Sequence, residues 1–355
     1  MPVLIDRGPS GRGQVYAGCV DLPALPVPDR FLEVGLVNNM PDAALESTER
    51  QFLELLNAAA HDIPVRLRLF SLPDVPRTDA GRRHLDASYA GIAALWNSRL
   101  DGLIVTGTEP RAPSLADEPY WGSLTAVLDW AQANTASTVW SCLAAHAAVL
   151  HMDGIERRLL AEKCSGLFEC AKVSSHPLLA GVPARIAIPH SRCNELAEEA
   201  LTGCNYEILT RSPDAGVDAF VKPGKSLFVF FQGHPEYDGR ALLREYRRDI
   251  GRYLRRERKT YPNMPRGYFD AAAVASLSAF RNAALAHRNE ELLESFPLAF
   301  IETRLGATNR APVVRLYRNW LSYLGSQKAE RRPSSRVPPK AQRTRSVPLP
   351  LVGRG

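Results

Sequence analysis

The sequence predicts a doubly wound α/β fold, a parallel-core sheet with helices on both faces, and three observations predict it. From residue 31 onward, strand-like and helix-like segments alternate across short loops, the order that parallel sheets require. LDGLIVTG (100–107) is a short, nearly all-apolar run ended by glycine, the pattern of a strand buried on both faces. STVWS (137–141), β-branched and aromatic, gives way at Cys142 to the alanine-rich LAAHAAVL, a strand-to-helix switch.

Taken in order, residues 1–29 form a Gly/Pro-rich arm. FLEVGLVNN (31–39) reads as the first strand and passes through Met40-Pro41-Asp42 into a helix with Leu45, Phe52 and Leu56 on one stripe. PVRLRLF (64–70) alternates like a strand, and ASYAGIAALWN (87–97) has helical spacing. SLTAVLDWAQAN (123–134) sets Leu124, Val127, Leu128 and Ala131 at i, i+3, i+4 and i+7. After the helix from Leu143, ARIAIPH (184–190), YEILTRS (206–212), DAFVKP (218–223) and KSLFVFFQG (225–233) read as added strands, some antiparallel. GRALLREYRRDIGRYLRRER (239–258) is a long amphipathic helix, residues 270–295 look helical, and APVVRLYRNWLSYL (311–324) closes the ordered part. The expected organisation is an arm (1–29), a principal α/β domain (30–265), a helical extension packing on it (266–325) and a disordered basic tail (326–355).

Composition narrows the class. With 45% hydrophobic and 23% charged residues, the chain falls among ordinary globular proteins. No run approaches the roughly 20 apolar residues that a membrane helix needs, and MPVLIDRGPSGRGQ lacks the pattern of a secretory signal. A cytoplasmic protein without membrane contacts is therefore expected. The six cysteines contain no CxxC pair, and the eight histidines no HExxH. They are expected to be free thiols and to hold no metal. The net charge of +6 comes from the end of the chain: the segment from Lys328 onward carries +7 and the rest −1. A Pro/Ser/Arg-rich tail accounts for that charge, and nucleic acid is not an expected partner.

In parallel α/β sheets, ligands bind beyond the carboxyl ends of strands. Two such ends stand out: Gly107, entering TGTEPRAP, and Ser141-Cys142. A residue on a sharp strand-to-helix turn projects from the top of the sheet and meets the positive end of a helix, which favours a thiolate. Taken alone, Cys142 has the commoner reading of a buried structural cysteine. FFQGHPEYD (230–238) changes that balance, because His234 and Glu236 follow a strand end and lie two apart. In an extended segment they share a face, so Glu236 can orient His234. A histidine so held is what a neighbouring strand-end cysteine needs for deprotonation.

These features resemble the class I glutamine amidotransferase-like superfamily, whose sheet is flavodoxin-like, and within it the homoserine O-acyltransferases of the homoserine O-succinyltransferase (transsuccinylase) type. The blocks that carry the resemblance are LDGLIVTG, Tyr120-Trp121, DWAQANTAST, the cysteine turn, EKCSGLFE, PHSR, GHPEYD, EYRRD and NWLSY. In family order they cover most of 31–265 and about 311–324. The resemblance implies an acyltransferase of methionine biosynthesis that works by ping-pong transfer, with Cys142 as nucleophile, His234 as proton acceptor and Glu236 orienting it. It further implies an oxyanion hole from N–H groups of Leu143, Gly107 and Thr108, and substrate contacts from Lys163, Ser191, Arg248 and Glu245. No bound cofactor is implied. Succinyl-CoA, or acetyl-CoA, is the co-substrate and L-homoserine the acceptor, and a homodimer is left open.

The chain also departs from the family pattern. Leu143 and His146 stand where tryptophan and glutamine are usual, and a helix histidine facing the core is more often structural. Arg111 occupies the acyl-selecting position, where succinyl enzymes usually have glycine and acetyl enzymes glutamate. A cation there would pair with a succinyl carboxylate, so succinyl-CoA is the expected donor. Segment 270–310 does not match the family's usual C-terminal region. Serine as acceptor, a glutaminase-type amidotransferase and a non-catalytic relative remain as alternatives. The elbow WSCLAAH lacks the flanking glycines of the amidotransferases.

Overall fold

The hydrophobic alternation of the first half is realised as a central sheet. The computed structural model describes residues 3–6, 31–306 and 309–331. The first half contains β1 (Leu4–Asp6), β2 (Leu32–Val37), α1 (Asp42–Ala60), β3 (Val65–Phe70), α2 (Asp79–Ser88) and α3 (Ile92–Trp96). It continues through β4 (Gly102–Thr106), α4 (Trp121–Asn134), β5 (Ser137–Ser141) and α5 (Leu143–Asp153). Next come β6 (Arg158–Lys172), β7 (Arg185–Glu195), α6 (Glu198–Gly203), β8 (Glu207–Ser212), β9 (Gly216–Lys222) and β10 (Leu227–Phe231). Four helices follow: α7 (Ala241–Leu254), α8 (Ala271–Ala286), α9 (Leu298–Glu302) and α10 (Ala311–Arg331).

All the strands join one sheet in the order β1-β3-β2-β4-β5-β10-β9-β8-β6-β7. The run from β1 to β10 is parallel, and the ladders from β10 through β7 are antiparallel. Parallel strands need cover on both faces, and β4, β5 and β10 are buried at every residue. On one face α1 and α10 pack Leu45, Phe52, Leu316 and Trp320 against the sheet. On the other, α4 and α5 bring Leu124, Leu128, Ala144 and Ala148. The doubly wound fold is thus observed. Among the described residues, no helix is long and apolar enough to cross a membrane.

The boundaries differ from those expected. Residues 4–6, expected within an arm, pair in parallel with β3; residues 1, 2 and 7–29 of the arm lie outside the described residues, as does the tail beyond Arg331. The tail was expected from residue 326, yet α10 runs to Arg331, because Lys328 donates to Asp101 at 2.8 Å and to the carbonyl of Phe31 at 2.7 Å. Nor is α10 an appendage. Its Trp320 is 1% exposed and donates from Nε1 to Ser137 Oγ at 2.9 Å, and it packs so closely on Gly102 that a Cβ there would lie 2.9 Å from the indole. Removing that ring leaves a large cavity under β4 and β5. Trp320→Ala is expected to cost about 3–5 kcal/mol of stability, read as a lower urea midpoint with an unchanged slope.

The expected helix at 87–97 is broken. Ala90 leaves it to bridge Phe70 beside β3, so α2 ends at Ser88 and α3 starts at Ile92. In segment 270–295, α8 ends at Ala286 and a short 3-10 turn covers Glu290–Ser295. Helices α7, α8 and α9 share their own apolar cluster, built on Tyr246, Ile250, Leu277 and Phe280.

Candidate active site

Register places the chemistry. Thr106 of β4 and Phe231 of β10 both pair with Ser141 of β5, so three adjacent parallel strands end level. The residues that follow, Gly107, Cys142 and the turn to His234, emerge together at the carboxyl edge of the sheet, where such folds bind ligands.

Cys142 occupies the elbow between β5 and α5 with φ 51° and ψ −113°. A non-glycine residue at positive φ costs of order 1–3 kcal/mol. The surroundings enforce it: its N–H donates to Phe231 O at 2.7 Å and its carbonyl accepts from His146 N at 3.2 Å. The first N–H groups of α5 have no acceptor within the helix. Gly107 lies against them, and a Cβ there would sit 2.5 Å from Leu143 Cβ and 3.0 Å from Leu143 N. Gly107, Thr108 and Leu143 all border the same cavity as Cys142.

His234 is held on three sides. Its backbone N–H donates to Pro189 O at 2.7 Å, its Nδ1 lies 2.8 Å from Glu236 Oε1, and Tyr237 stacks on the ring at 4.1 Å and 15°. Gly233 is required before it: a Cβ there would lie 2.6 Å from both Asp218 Oδ1 and Ile188 Cγ2. Ser141 Oγ donates to the same Glu236 oxygen at 3.3 Å. Burial opposes a proton on His234, but attraction and hydrogen bonding by Cys142 and Glu236 overcome it and raise its pKa well above the usual value. The imidazolium is the favoured form here.

A second group of side chains faces this triad across a cavity of about 350 Å³. Glu245, Arg248, Asp249 and Arg252 fall at i, i+3, i+4 and i+7 on α7 and line it together. Ser191 of β7 donates to Glu245 Oε2, and Tyr237 OH donates to Glu245 Oε1 at 2.7 Å. Lys163 of β6 donates to Asp249 at 2.8 Å, and Arg248 pairs with the other Asp249 oxygen at 3.1 Å. Burial would raise the Glu245 and Asp249 carboxyls, but the charges of Lys163 and Arg248 hold both below the usual range. Both are anionic, and the cavity wall alternates in sign.

Cys142, His234, Glu236, Leu143, Gly107, Thr108, Lys163, Ser191, Glu245 and Arg248 are therefore brought together. Arg111 is not. Glu118 Oε1 accepts from the N–H groups of Arg111 and Ala112, the latter at 2.8 Å, so this loop is tied back and the Arg111 side chain is exposed, outside the residues lining the cavity. Asp249, Tyr237 and Ser141 were not singled out by the sequence, although Asp249 lies four residues after Glu245 on one helix face.

His146 is buried, with Nε2 3.1 Å from Gln232 Oε1. That oxygen already accepts from Leu196 N at 2.8 Å, so His146 carries its proton on Nε2. Burial lowers its pKa to about 3, which keeps it neutral.

Among the described residues the cysteines are free; Cys19 lies outside them. Three donor atoms come within 4.8 Å of one another at Cys170, His190 and Asp218, beneath Gly233. Burial pushes the Cys170 thiol up, out of the range where it would ionise. The Arg192 guanidinium lies against His190 Nδ1 at 3.4 Å. A protonated thiol beside a guanidinium is a poor seat for a cation; the cluster buttresses the His234 turn.

Fold and site together define an α/β protein with a cysteine at a sharp strand-to-helix elbow beside a histidine–carboxylate pair. The family model described as homoserine O-succinyltransferase matches residues 27–331. A homoserine O-succinyltransferase of Rhodopseudomonas palustris is 52% identical over 84% of this chain and 90% of its own length. One from Methylorubrum extorquens is 50% identical over 88% and 93%. Among solved structures, a glutamine amidotransferase from Methylobacillus flagellatus is similar at a TM-score of 0.47 and 15% identity, over 83% of this chain and 95% of that one. The chain belongs to the homoserine O-succinyltransferase family.

Proposed function

We propose that this enzyme moves a succinyl group from succinyl-CoA to the hydroxyl of L-homoserine through a thioester on Cys142. The observation that carries the reading is the Cys142–His234–Glu236 set on adjacent strand ends, at the edge of a cavity whose far wall offers paired charges for an amino acid. At the start of the first half-reaction the Cys142 proton rests on His234 as the imidazolium, and the sulfur attacks the thioester carbonyl. The oxyanion meets the N–H groups at Leu143 and near Gly107 and Thr108, an arrangement worth about 10²–10³ in rate per donor. The tetrahedral adduct collapses, His234 returns the proton to the departing CoA sulfur, and the succinyl group stays on Cys142. In the second half His234 accepts the homoserine hydroxyl proton as that oxygen attacks, and Cys142 leaves as the thiolate beside the His234 imidazolium, which restores the starting pair.

Arg248 is the partner for the amino-acid carboxylate, since a guanidinium offers a two-pronged donor. Glu245, held anionic and fixed by Ser191 and Tyr237, receives the ammonium, and Lys163 keeps Asp249 and Glu245 in place. Incubation with succinyl-CoA in the absence of acceptor is expected to give a succinylated Cys142 by peptide mass spectrometry. L-Homoserine is expected to discharge it faster than L-serine. Absence of an adduct from both succinyl-CoA and acetyl-CoA overturns the reading.

A further inference from the structure

The cavity is lined by six cations, and most are already neutralised. Lys163 and Arg248 share Asp249, Arg258 lies 3.8 Å from it, and Arg252 donates to both oxygens of Glu109. Arg192 spends its guanidinium on His190 Nδ1 and on the carbonyls of Asn194 and Ala215. Arg157 differs. Among the described residues it forms no ion pair and no side-chain hydrogen bond, and its Nη1 is buried without a partner.

The position of Arg157 is as telling as its lack of partners. It follows α5, whose N-terminus begins at Cys142, and the chain turns back after the left-handed Gly154 (φ 67°). Its side chain lines the same cavity as Cys142 and, with His146 and Asn194, a second one of about 300 Å³. Burial lowers the Arg157 pKa, while the charges of Tyr120, Glu118 and Cys142 act the other way; it is thus within electrostatic reach of the nucleophile. The carboxylate whose charge acts on it most, Glu118, holds the loop at Arg111 and Ala112 through Oε1; its Oε2 is buried without a partner, and it makes no ion pair with Arg157. His146 beside it is neutral and adds no competing charge. A buried donor on a cation without a partner is costly unless a ligand supplies one.

We infer that Arg157, rather than Arg111, is the residue that receives the free carboxylate of the succinyl group and so selects the acyl donor. The inference rests on the acyltransferase reading above. A carboxylate at Arg157 satisfies the orphaned Nη1 with a charge-assisted hydrogen bond. An acyl group without a carboxylate leaves that donor as unpaired as before, and the preference for succinyl follows.

The test compares succinyl-CoA with butyryl-CoA, which has the same number of acyl carbons and no charge, as donors for acylation of Cys142 in a single turnover. In the wild-type enzyme succinyl-CoA is expected to be preferred. Arg157→Gln should lower the succinyl rate constant, kcat/KM, by about 10- to 100-fold and leave the butyryl value within about threefold. Arg157→Lys should recover part of the preference. Equal loss for both donors, an unchanged ratio in Arg157→Gln, or a ratio that collapses in Arg111→Gln instead, overturns the inference. Absence of an adduct from any acyl-CoA in the wild-type enzyme overturns the acyltransferase reading itself, which keeps the two failures distinct.

Discussion

Cys142→Ala is expected to abolish the acyl-enzyme and to lower turnover by at least about 10³-fold, the scale of removing one member of a catalytic triad. The loss has two parts. The nucleophile disappears, and with it one of the two groups that raise the His234 pKa against burial. The His234 ring should therefore titrate at lower pH in the variant, measurable by its NMR shift. Backbone strain gives a third readout. Cys142 is held at φ 51°, which alanine tolerates no better than cysteine and glycine tolerates freely. Cys142→Gly should thus be as inactive as Cys142→Ala and melt higher than it. Retained turnover in either variant would remove Cys142 from the mechanism. A lower melting temperature for the glycine variant would show that the elbow stores no strain.

What could be read in the sequence was whatever depends on local period. LDGLIVTG, STVWS and KSLFVFFQG carry no charge along their strand residues because β4, β5 and β10 are buried on both faces. The turns after them were therefore visible as sites. The polar stripe Glu245, Arg248, Asp249, Arg252 follows equally from helix geometry. The longest strand, β6, has no such period. Its first half, from Arg158 through Lys163, is mostly exposed and only its second half alternates towards the core, so no local pattern announced it. Arg111 misled for a related reason. The direction of its loop is decided by Glu118, seven residues on, through two backbone N–H groups, a contact that neither charge nor spacing encodes. Arg157 was unreadable in the same way, because lacking a partner is a property of the assembled cavity.

Glu236→Gln is expected to preserve the fold and still lower kcat by about 10²–10⁴-fold, the usual worth of general acid–base help. Glutamine has the same shape and its oxygen can still accept from His234 Nδ1, so the geometry at 2.8 Å is largely kept. What is lost is the negative charge. The sign of the pH effect follows from that. In the wild-type site the His234 pKa is raised, so the imidazolium persists above its ordinary range and is lost only as pH climbs through the elevated value. Without the charge of Glu236, burial regains ground and that value falls. The alkaline limb of the profile of kcat/KM for acyl-CoA should therefore move to lower pH, while the acceptor KM changes little. Ser141→Ala separates charge from scaffolding, because it removes only the 3.3 Å donor to the same oxygen and should leave the limb in place with less than about a tenfold loss. If Glu236→Gln lowers kcat without moving the limb, Glu236 acts on the orientation of the ring alone, and the charge it holds in the buried site is not what keeps the proton on His234.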